Sequence, residues 1–292
     1  MAAWSRGLGR GLQNLVHQFE SGCRLQIYLI NTTKVVFFIK IFIFLFKIMI
    51  FNLFFDIIVD ILKKGSKMGK LIIIEGTDGS GKQTQTEMLF NKLSEYRGKD
   101  KVKKISFPNY DSKASEPIKM YLSGEFGKNA NDVNAYAASL FYSVDRFASF
   151  KKEWEKFYND GGIVISDRYT TSNMVHQASK IKDDKEREAY LEWLIDLEWN
   201  KISIPEPDLI IFLDVPFEIS QRLMKNRNNK ITGEINKDIH EKDSKYLKDS
   251  YNIAKDLAEK YRWEIIECVK NDKLKSIEDI NKEIMNKIKY IL

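Results

Sequence analysis

Short apolar runs alternate with longer stretches of helical spacing from Lys70 to the end of the chain. Three of the five runs are apolar at consecutive positions and bounded by Gly, Pro or polar residues, which is typical of strands buried on both faces, and the other two, VKKISF and WEIIECV, are apolar runs interrupted by charged or polar residues. The predicted strands cover residues 70–76, 102–107, 162–168, 207–216 and 263–269. The predicted helices cover residues 83–96, 131–158, 184–200, 217–227, 241–261 and 276–291. This alternation predicts an α/β fold, a five-stranded parallel sheet with helices on both faces, whose ligands bind at the carboxyl ends of the strands.

A different pattern occupies the first 67 residues. Residues 35–62 form an apolar run that is long enough to span a bilayer. The run is interrupted by five charged or amide residues: Lys40, Lys47, Asn52, Asp56 and Asp60. Each apolar residue favours insertion by about 0.3–0.6 kcal/mol and each charge opposes it by about 2.5–3.5 kcal/mol, so insertion is marginal. We therefore treat residues 1–67 as an N-terminal extension, either an over-extended translation start or a membrane anchor, and residues 68–292 as the folded domain.

Charge is divided in the same place. Residues 1–67 hold nine of the 47 Lys and Arg residues and three of the 41 Asp and Glu residues, so residues 68–292 carry 38 of each sign. A domain without net charge is not expected to bind nucleic acid through a basic surface. Cys23 and Cys268 are too few for a disulfide framework, and the three His do not cluster as metal ligands do. We predict a cytoplasmic location, with anchoring through residues 35–62 as the alternative.

The turn after the first predicted strand carries the pattern G-x-x-x-x-G-K. Its residues are Gly76, Thr77, Asp78, Gly79, Ser80, Gly81, Lys82 and Gln83. Glycines let the backbone N–H groups curl around a phosphate, the following helix adds partial positive charge, and Lys82 supplies a cation. The pattern predicts binding of the ATP phosphates. Gln83 stands where Ser or Thr usually contacts Mg²⁺, so its amide oxygen or the Thr84 hydroxyl is expected to serve, directly or through water. The alternatives are a loop that binds nucleotide but catalyses poorly, and an ordinary glycine-rich turn.

Further motifs follow in order along the domain. They are SFPNYDS, SLFYSVDRF, SDRYTTSNMVHQASK, PDLIIFLDVP and a basic segment at 222–237. Together with IIIEGTDGSGKQTQ, these motifs resemble those of the thymidylate kinase family of P-loop nucleoside-monophosphate kinases, over about residues 68–292. The DRY segment, with Ser172 and Gln177 downstream, is the part most specific to thymidylate. The resemblance implies the P-loop nucleotide-kinase fold and transfer of the γ-phosphoryl group of ATP to dTMP, giving dTDP and ADP in deoxynucleotide biosynthesis.

The resemblance also implies an acceptor site. The implied substrate-binding residues are Asp78, Phe107, Tyr142, Arg146, Arg168, Ser172 and Gln177. Asp78 would contact the sugar 3′-hydroxyl and Tyr142 would stack on thymine. Arg146 would approach the base or its phosphate, Arg168 would hold the acceptor phosphate, and Gln177 would lie near the base. Each of these residues also has a purely structural alternative. Tyr142 could pack in the core, Arg168 could form a strand-end ion pair with the aspartate before it, and Gln177 could lie on the surface.

On the donor side, the resemblance implies a set of cations around the transferring group. The implied catalytic residues are Lys82, Asp167, Arg168, Arg222 and Arg227. A lid over about residues 222–240 would carry two of them together with Lys230, although a solvated charged face is the alternative. Mg²⁺ would be held by Asp167, through water, and by Gln83. The acceptor phosphate is itself the nucleophile, so the reaction needs positioning and neutralised charge more than a strong base. Tyr110 stands where many family members place Arg, so one acceptor-side cation is missing or comes from elsewhere.

Nucleotides are the expected partners. A second copy of the chain is expected as well, since the resemblance to the family implies a homodimer. Trp154, Trp193 and Trp199 are candidates for the dimer surface, with burial in the core as the alternative. A membrane is an expected partner only if residues 1–67 are truly translated. Three other functions stay open: a kinase for another nucleoside or nucleoside monophosphate, a regulatory nucleotide switch, and a non-catalytic nucleotide-binding protein.

Overall fold

A parallel sheet forms the centre of the domain. The computed structural model describes residues 68–224 and 243–292 together with Phe46, so the predictions for residues 1–67 and for most of the lid lie outside the described residues. The five strands are β1 (Lys70–Glu75), β2 (Val102–Ser106), β3 (Ile163–Asp167), β4 (Leu209–Asp214) and β5 (Glu264–Glu267). They are all parallel, in the order β2–β3–β1–β4–β5. The predicted fold class is therefore confirmed. A short antiparallel hairpin, β6 (Val269–Lys270) and β7 (Lys273–Leu274), follows β5.

Helices connect the strands. They are α1 (Lys82–Arg97), α2 (Glu116–Ser123), α3 (Ala135–Ser149), α4 (Glu155–Asn159), α5 (Thr170–His176), α6 (Asp184–Ile195), α7 (Phe217–Met224), α8 (Ser244–Lys260) and α9 (Ile277–Ile288). Several begin at a side-chain cap: Asn134 accepts from the backbone N–H of Ala137, and Asp183 accepts from two N–H groups of the first turn of α6. In the described part of the chain, no helix has both the length and the apolarity needed to cross a bilayer.

Several helices differ from the predicted ones. The single helix predicted over 131–158 is α3, a π-helical turn at Phe150–Trp154, and α4. The helix predicted over 184–200 ends in another π-helical turn, Asp196–Lys201. Helices α2 and α5 were not predicted, because each spans about two turns and gives little periodic signal.

The core lies on both faces of the sheet, because successive strand residues point to opposite sides. On β1, Ile72 and Ile74 pack with α1 and α9, whereas Leu71 and Ile73 pack on the other face. Trp154 belongs to the second face and is 1% exposed. Trp193 and Trp199 are half-buried against the core as well. Trp154 is therefore a core residue, whereas Trp193 and Trp199 pack against the core but keep part of their surface exposed, so a place for these two in a dimer surface stays a prediction.

Candidate active site

The turn between β1 and α1 has the geometry of a phosphate loop. Gly79 (φ 82°) and Gly81 (φ 86°) are in the left-handed region that favours glycine. A Cβ on Gly79 would lie 2.7 Å from the carbonyl oxygen of Ser220, so the close approach to α7 also requires glycine. Helix α1 begins at Lys82 with no side chain bonded to its first N–H groups. Those groups and the helix dipole favour an anion at this position.

Lys82 lies beneath this loop. Its side chain is buried, and Nζ donates to the carbonyl oxygens of Gly76 at 2.7 Å and Thr77 at 2.8 Å. Burial, followed by repulsion from Arg168, lowers the pKa of Lys82 to about 8. Burial thus disfavours the charged form of Lys82, and a phosphate group beside it would offset that cost.

Arg168 connects the end of β3 with the phosphate loop. Its backbone is left-handed (φ 69°), and its guanidinium pairs with Asp78 through Nη2. Nη1 lies 3.4 Å from the Ser172 hydroxyl and 3.1 Å from His176 Nε2. Burial alone would lower the pKa of Arg168, but Asp78 and two further carboxylates raise it, so the side chain stays cationic. The predicted acceptor-phosphate residue therefore lies in contact with the loop predicted to bind the donor.

Glu75 ties the loop to α5, a role that the strand pattern alone did not reveal. Its side chain is 1% exposed. Oε1 accepts from the N–H of Gly76 at 2.9 Å, and Oε2 accepts from the hydroxyls of Thr171 and Ser172, each at 2.7 Å. Oε1 also lies 3.9 Å from Arg168 Nη1. The predicted substrate residue Ser172 thus holds the framework of the site through its hydroxyl.

His176 also faces Arg168, although sequence analysis gave it no role. Burial and then the charge of Arg168 lower the pKa of His176 to about 3, so the ring is neutral and Nε2 accepts from the guanidinium. Nδ1 is buried and has no hydrogen-bond partner among the described residues. The neutral ring restrains the guanidinium through this hydrogen bond and places no second positive charge beside it.

One cavity of about 680 Å³ is lined by Asp78, Arg168, Ser172 and His176, whereas Lys82 and Glu75 are buried outside its lining. The predicted site residues that line it are Asp78, Gln83, Phe107, Tyr142, Arg146, Asp167, Arg168, Ser172 and Gln177. Thr84 is exposed and lies outside this lining. Arg222 is exposed on α7, where Nε lies 3.3 Å from the carbonyl oxygen of Glu218. Arg227, Lys230 and the rest of the predicted lid after Met224 lie outside the described residues.

Arg146 lines the cavity from α3 but is already paired. Nε donates to Glu198 Oε2 at 2.8 Å and Nη2 donates to Oε1 at 2.5 Å, and both side chains are almost fully buried. The hydroxyls of Ser143 and Thr170 also donate to Glu198, each at 2.6 Å. Nη1 makes only long contacts, 3.4 Å to Tyr169 O and to Asn173 Oδ1. The bidentate pair with Glu198 fixes the guanidinium, and Nη1 is the nitrogen with the longest hydrogen bonds.

The part of the cavity near α5 contains amide groups that lack partners. Gln177 is 1% exposed and its Oε1 accepts from no described group. Asn173 is 3% exposed, and its Nδ2 donates to none in the same part of the chain. Tyr142 packs against the small cluster around Tyr121 and also lines the cavity, so both alternatives for Tyr142 describe part of its environment. Because buried polar atoms are normally hydrogen-bonded, these amides favour a polar ligand here.

Asp167 and Gln83, the two residues predicted to hold Mg²⁺, both line the cavity. Asp167 is 4% exposed, and its Oδ1 has no partner within the described residues. Gln83 is exposed on the first turn of α1. Residues 68–224 and 243–292 contain no group of three or more His, Cys, Asp or Glu side chains arranged to hold a metal. Any Mg²⁺ in this cavity would therefore take most of its ligands from nucleotide and water, as Mg²⁺ usually does.

Comparison with known proteins agrees with this geometry. The family model for thymidylate kinase matches residues 74–284. A thymidylate kinase of Schizosaccharomyces pombe is 29% identical over 226 residues, which cover 76% of this chain and 93% of that protein. A probable thymidylate kinase of Thermococcus onnurineus is 31% identical over 231 residues, covering 76% and 98%. The solved thymidylate kinase of Candida albicans matches with a TM-score of 0.57 at 22% identity, covering 77% of this chain and 92% of that one. At that identity the structural match shows the fold.

Proposed function

We propose that this chain, which belongs to the thymidylate kinase family, transfers the γ-phosphoryl group of ATP to dTMP and releases dTDP and ADP. Membership of the family makes the chain a phosphotransferase of the nucleoside-monophosphate kinase type. The observation that carries the proposal is the contact between Arg168 and Asp78, which brings the strand-end cation to the phosphate loop in one cavity.

The residues support transfer by positioning and charge. A nucleoside monophosphate is ionised at neutral pH, so it can act as nucleophile without a general base. Arg168, which lines the cavity, would hold that phosphate, and Lys82 beneath the loop, with the first N–H groups of α1, would hold the donor phosphates. Asp167 and Gln83 are the residues that would hold Mg²⁺, which supplies further charge neutralisation when bound with ATP. Lid cations such as Arg222 and Arg227 stay predictions.

The unpartnered amides support a pyrimidine with adjacent carbonyl and N–H groups. Gln177 Oε1 can accept from the N3–H of thymine, and Asn173 Nδ2 can donate to a ring carbonyl oxygen. Both amides lie in the cavity with Tyr142, on which an aromatic base can stack. A site built around such hydrogen bonds rejects bases that leave its buried groups unpaired.

A substrate panel tests the proposed reaction. The full chain is expected to phosphorylate dTMP with ATP and Mg²⁺, with kcat/KM at least about 10-fold higher than for dUMP and far higher than for thymidine, which lacks the acceptor phosphate. ADP formation in a coupled assay measures all three. The Candida albicans relative is described as having broad substrate specificity, so dGMP and dCMP belong in the panel. Preferred turnover of another acceptor would replace the dTMP assignment, and nucleotide binding without turnover would support a non-catalytic protein.

The same assay on residues 68–292 alone tests the division of the chain. We expect this shorter protein to match the full chain in turnover of dTMP, because every cavity-lining residue lies after Met68. A short form that folds but does not turn over would assign residues 1–67 a part in catalysis. The cytoplasmic location, and the anchor alternative through residues 35–62, both stay predictions.

We further propose a homodimer that forms through helix α3. Four large apolar side chains on α3 are 40–54% exposed: Tyr136, Leu140, Val144 and Phe147. Their spacing of four, four and three residues places them along one stripe of the helix. Such a continuous apolar stripe is unusual on the surface of a monomer and is typical of an interface. Because Tyr142 and Arg146 lie on the same helix, pairing there would also hold the cavity wall in place.

Two variants test the dimer. Leu140→Glu with Val144→Glu is expected to halve the molar mass measured by light scattering after size-exclusion chromatography, because buried charges of one sign without partners oppose association. Leu274→Glu, which changes a 45% exposed leucine on β7, is the control and should leave the mass unchanged. A wild-type protein that is monomeric at micromolar concentration would contradict the proposal.

A further inference from the structure

The second turn of α1 carries a hydroxyl group that the family motif does not assign. Gln83 occupies the position where Ser or Thr usually contacts Mg²⁺. Thr86 follows three residues later, so it neighbours Gln83 on the helix surface, about 4.5 Å further along the axis. Thr86 is 1% exposed and, like Gln83, lines the cavity.

The Thr86 hydroxyl has no partner in the described structure. A threonine inside a helix commonly bonds back to the carbonyl of the preceding turn, but Oγ1 of Thr86 makes no such bond. Thr84, the other hydroxyl close to Gln83, is exposed and outside the cavity lining. Of these two hydroxyls, Thr86 is therefore the one placed to meet a ligand in the cavity.

A second oxygen without a partner lines the same cavity. Asp167 Oδ1 is buried at the end of β3 and accepts from no group in the described part of the chain. Asp167 and Thr86 come from separate elements, yet both line the cavity with Gln83. Carboxylate and hydroxyl oxygens are the groups that bind hydrated Mg²⁺, which keeps several of its waters in proteins. Each of these two buried oxygens lacks a partner in the described part of the protein, so each is available to hydrogen-bond water or a hydrated cation.

We propose that Thr86 supplies the hydroxyl missing at position 83. Resting on the proposed kinase function, the assignment is that Thr86 Oγ1 and Asp167 Oδ1 hydrogen-bond the water shell of the Mg²⁺ that accompanies ATP. Thr86 lies in the second turn of α1, so its hydroxyl contacts the metal through a bound water molecule. Thr86 thus orients the metal without being a direct ligand. Partners of this outer kind change metal affinity by about 10–100-fold when they are removed.

Metal affinity, measured apart from turnover, tests the assignment. Mn²⁺ replaces Mg²⁺ so that free and protein-bound metal can be distinguished by electron paramagnetic resonance, with the full chain saturated with β,γ-imido-ATP. Thr86→Val is expected to weaken Mn²⁺ binding by about 10-fold or more. Affinity for the same nucleotide in EDTA, measured by calorimetry, is expected to stay unchanged. Thr86→Ser keeps the hydroxyl and is expected to bind Mn²⁺ nearly as the wild type does.

Ser94 provides the matched control. It lies on α1, is 5% exposed, has a hydroxyl without a partner in the described residues, and does not line the cavity. Ser94→Ala should therefore leave Mn²⁺ affinity unchanged. Thr86→Ala gives the same readout if the valine variant does not fold, as judged by circular dichroism.

The two proposals fail in different ways. Wild-type Mn²⁺ affinity in a folded Thr86→Val or Thr86→Ala protein would overturn the role of Thr86 and leave the kinase function intact. Equal weakening by Ser94→Ala would also overturn it, because the effect would then come from loss of any buried hydroxyl on α1. A wild-type protein that binds no adenine nucleotide would overturn the proposed function itself. Recovery of Mn²⁺ affinity in the double variant Gln83→Thr with Thr86→Val would support the assignment, since the hydroxyl would have returned to its usual place.

Discussion

Lys82→Ala is expected to lower kcat/KM for ATP, with dTMP saturating, by about 100-fold or more. That loss corresponds to about 2.7 kcal/mol of transition-state stabilisation, the size expected when a preorganised charge contact is removed. Lys82 is buried beneath the loop and bonded to two of its carbonyls, so the loop already holds the ammonium where donor phosphates would lie. Initial rates across ATP concentrations, followed by ADP formation, provide the measurement.

Two further variants separate the charge of Lys82 from other effects. Lys82→Arg should recover little activity, because the larger planar guanidinium does not fit the space of a compact ammonium that is 7% exposed. Lys92→Ala removes an exposed lysine from the same helix and should leave the rate unchanged. A folded Lys82→Ala protein with near-normal kcat/KM would show that the loop does not act on the donor phosphates.

Hydrophobic pattern sufficed to predict the sheet. Strands β1, β3 and β4 are apolar over consecutive positions, as central strands buried on both faces require, whereas the edge strands β2 (VKKIS) and β5 (EIIE) carry charged residues. Because parallel strands end at the same edge, residues at strand ends were expected to meet. The structure places Asp78, after β1, against Arg168, after β3. The order of the motifs along the chain therefore contained information about the site.

Long-range partners were not predictable in the same way. Glu198 lies 52 residues after Arg146, within a helical region whose spacing gave no sign that a carboxylate points into the core. Glu75 was noted as a strand-end residue, but its bonds to α5 depend on a helix that the sequence pattern did not predict. Burial of Trp154 was likewise left open, because an aromatic residue in a helix fits a core and an interface equally well.

At the phosphate loop, one departure from the motif changes which residue of α1 is expected to supply the hydroxyl. Gln83 breaks the motif, and sequence reasoning looked to its neighbour Thr84 for the missing hydroxyl. Helical geometry instead brings Thr86 to the cavity and leaves Thr84 exposed. Which residue compensates for a substitution thus depends on the face of the helix and not on distance along the chain.

Arg168→Ala is expected to lower kcat/KM for dTMP by about 100-fold or more at saturating ATP. The guanidinium is held by Asp78, the Ser172 hydroxyl and His176, so it is preorganised before any acceptor binds. The change leaves backbone strain nearly the same, because Arg and Ala both disfavour the left-handed conformation found at this position (φ 69°). Since Asp78 and Glu75 would lose a cationic neighbour, the melting temperature should also fall, and the kinetics should be measured well below it.

Matched variants show whether the loss comes from geometry or from charge. Arg168→Lys keeps the positive charge but cannot reach three groups at once, so it should restore only part of the kcat/KM for dTMP. Arg187→Ala removes another arginine paired with an aspartate, outside the cavity lining, and should leave the kinetics unchanged. Affinity for ATP should be altered little by Arg168→Ala, because the donor phosphates are expected to bind to Lys82 and the loop N–H groups. If instead ATP affinity fell as far as kcat/KM for dTMP, Arg168 would be a donor-side residue, and the acceptor phosphate would need a different cation.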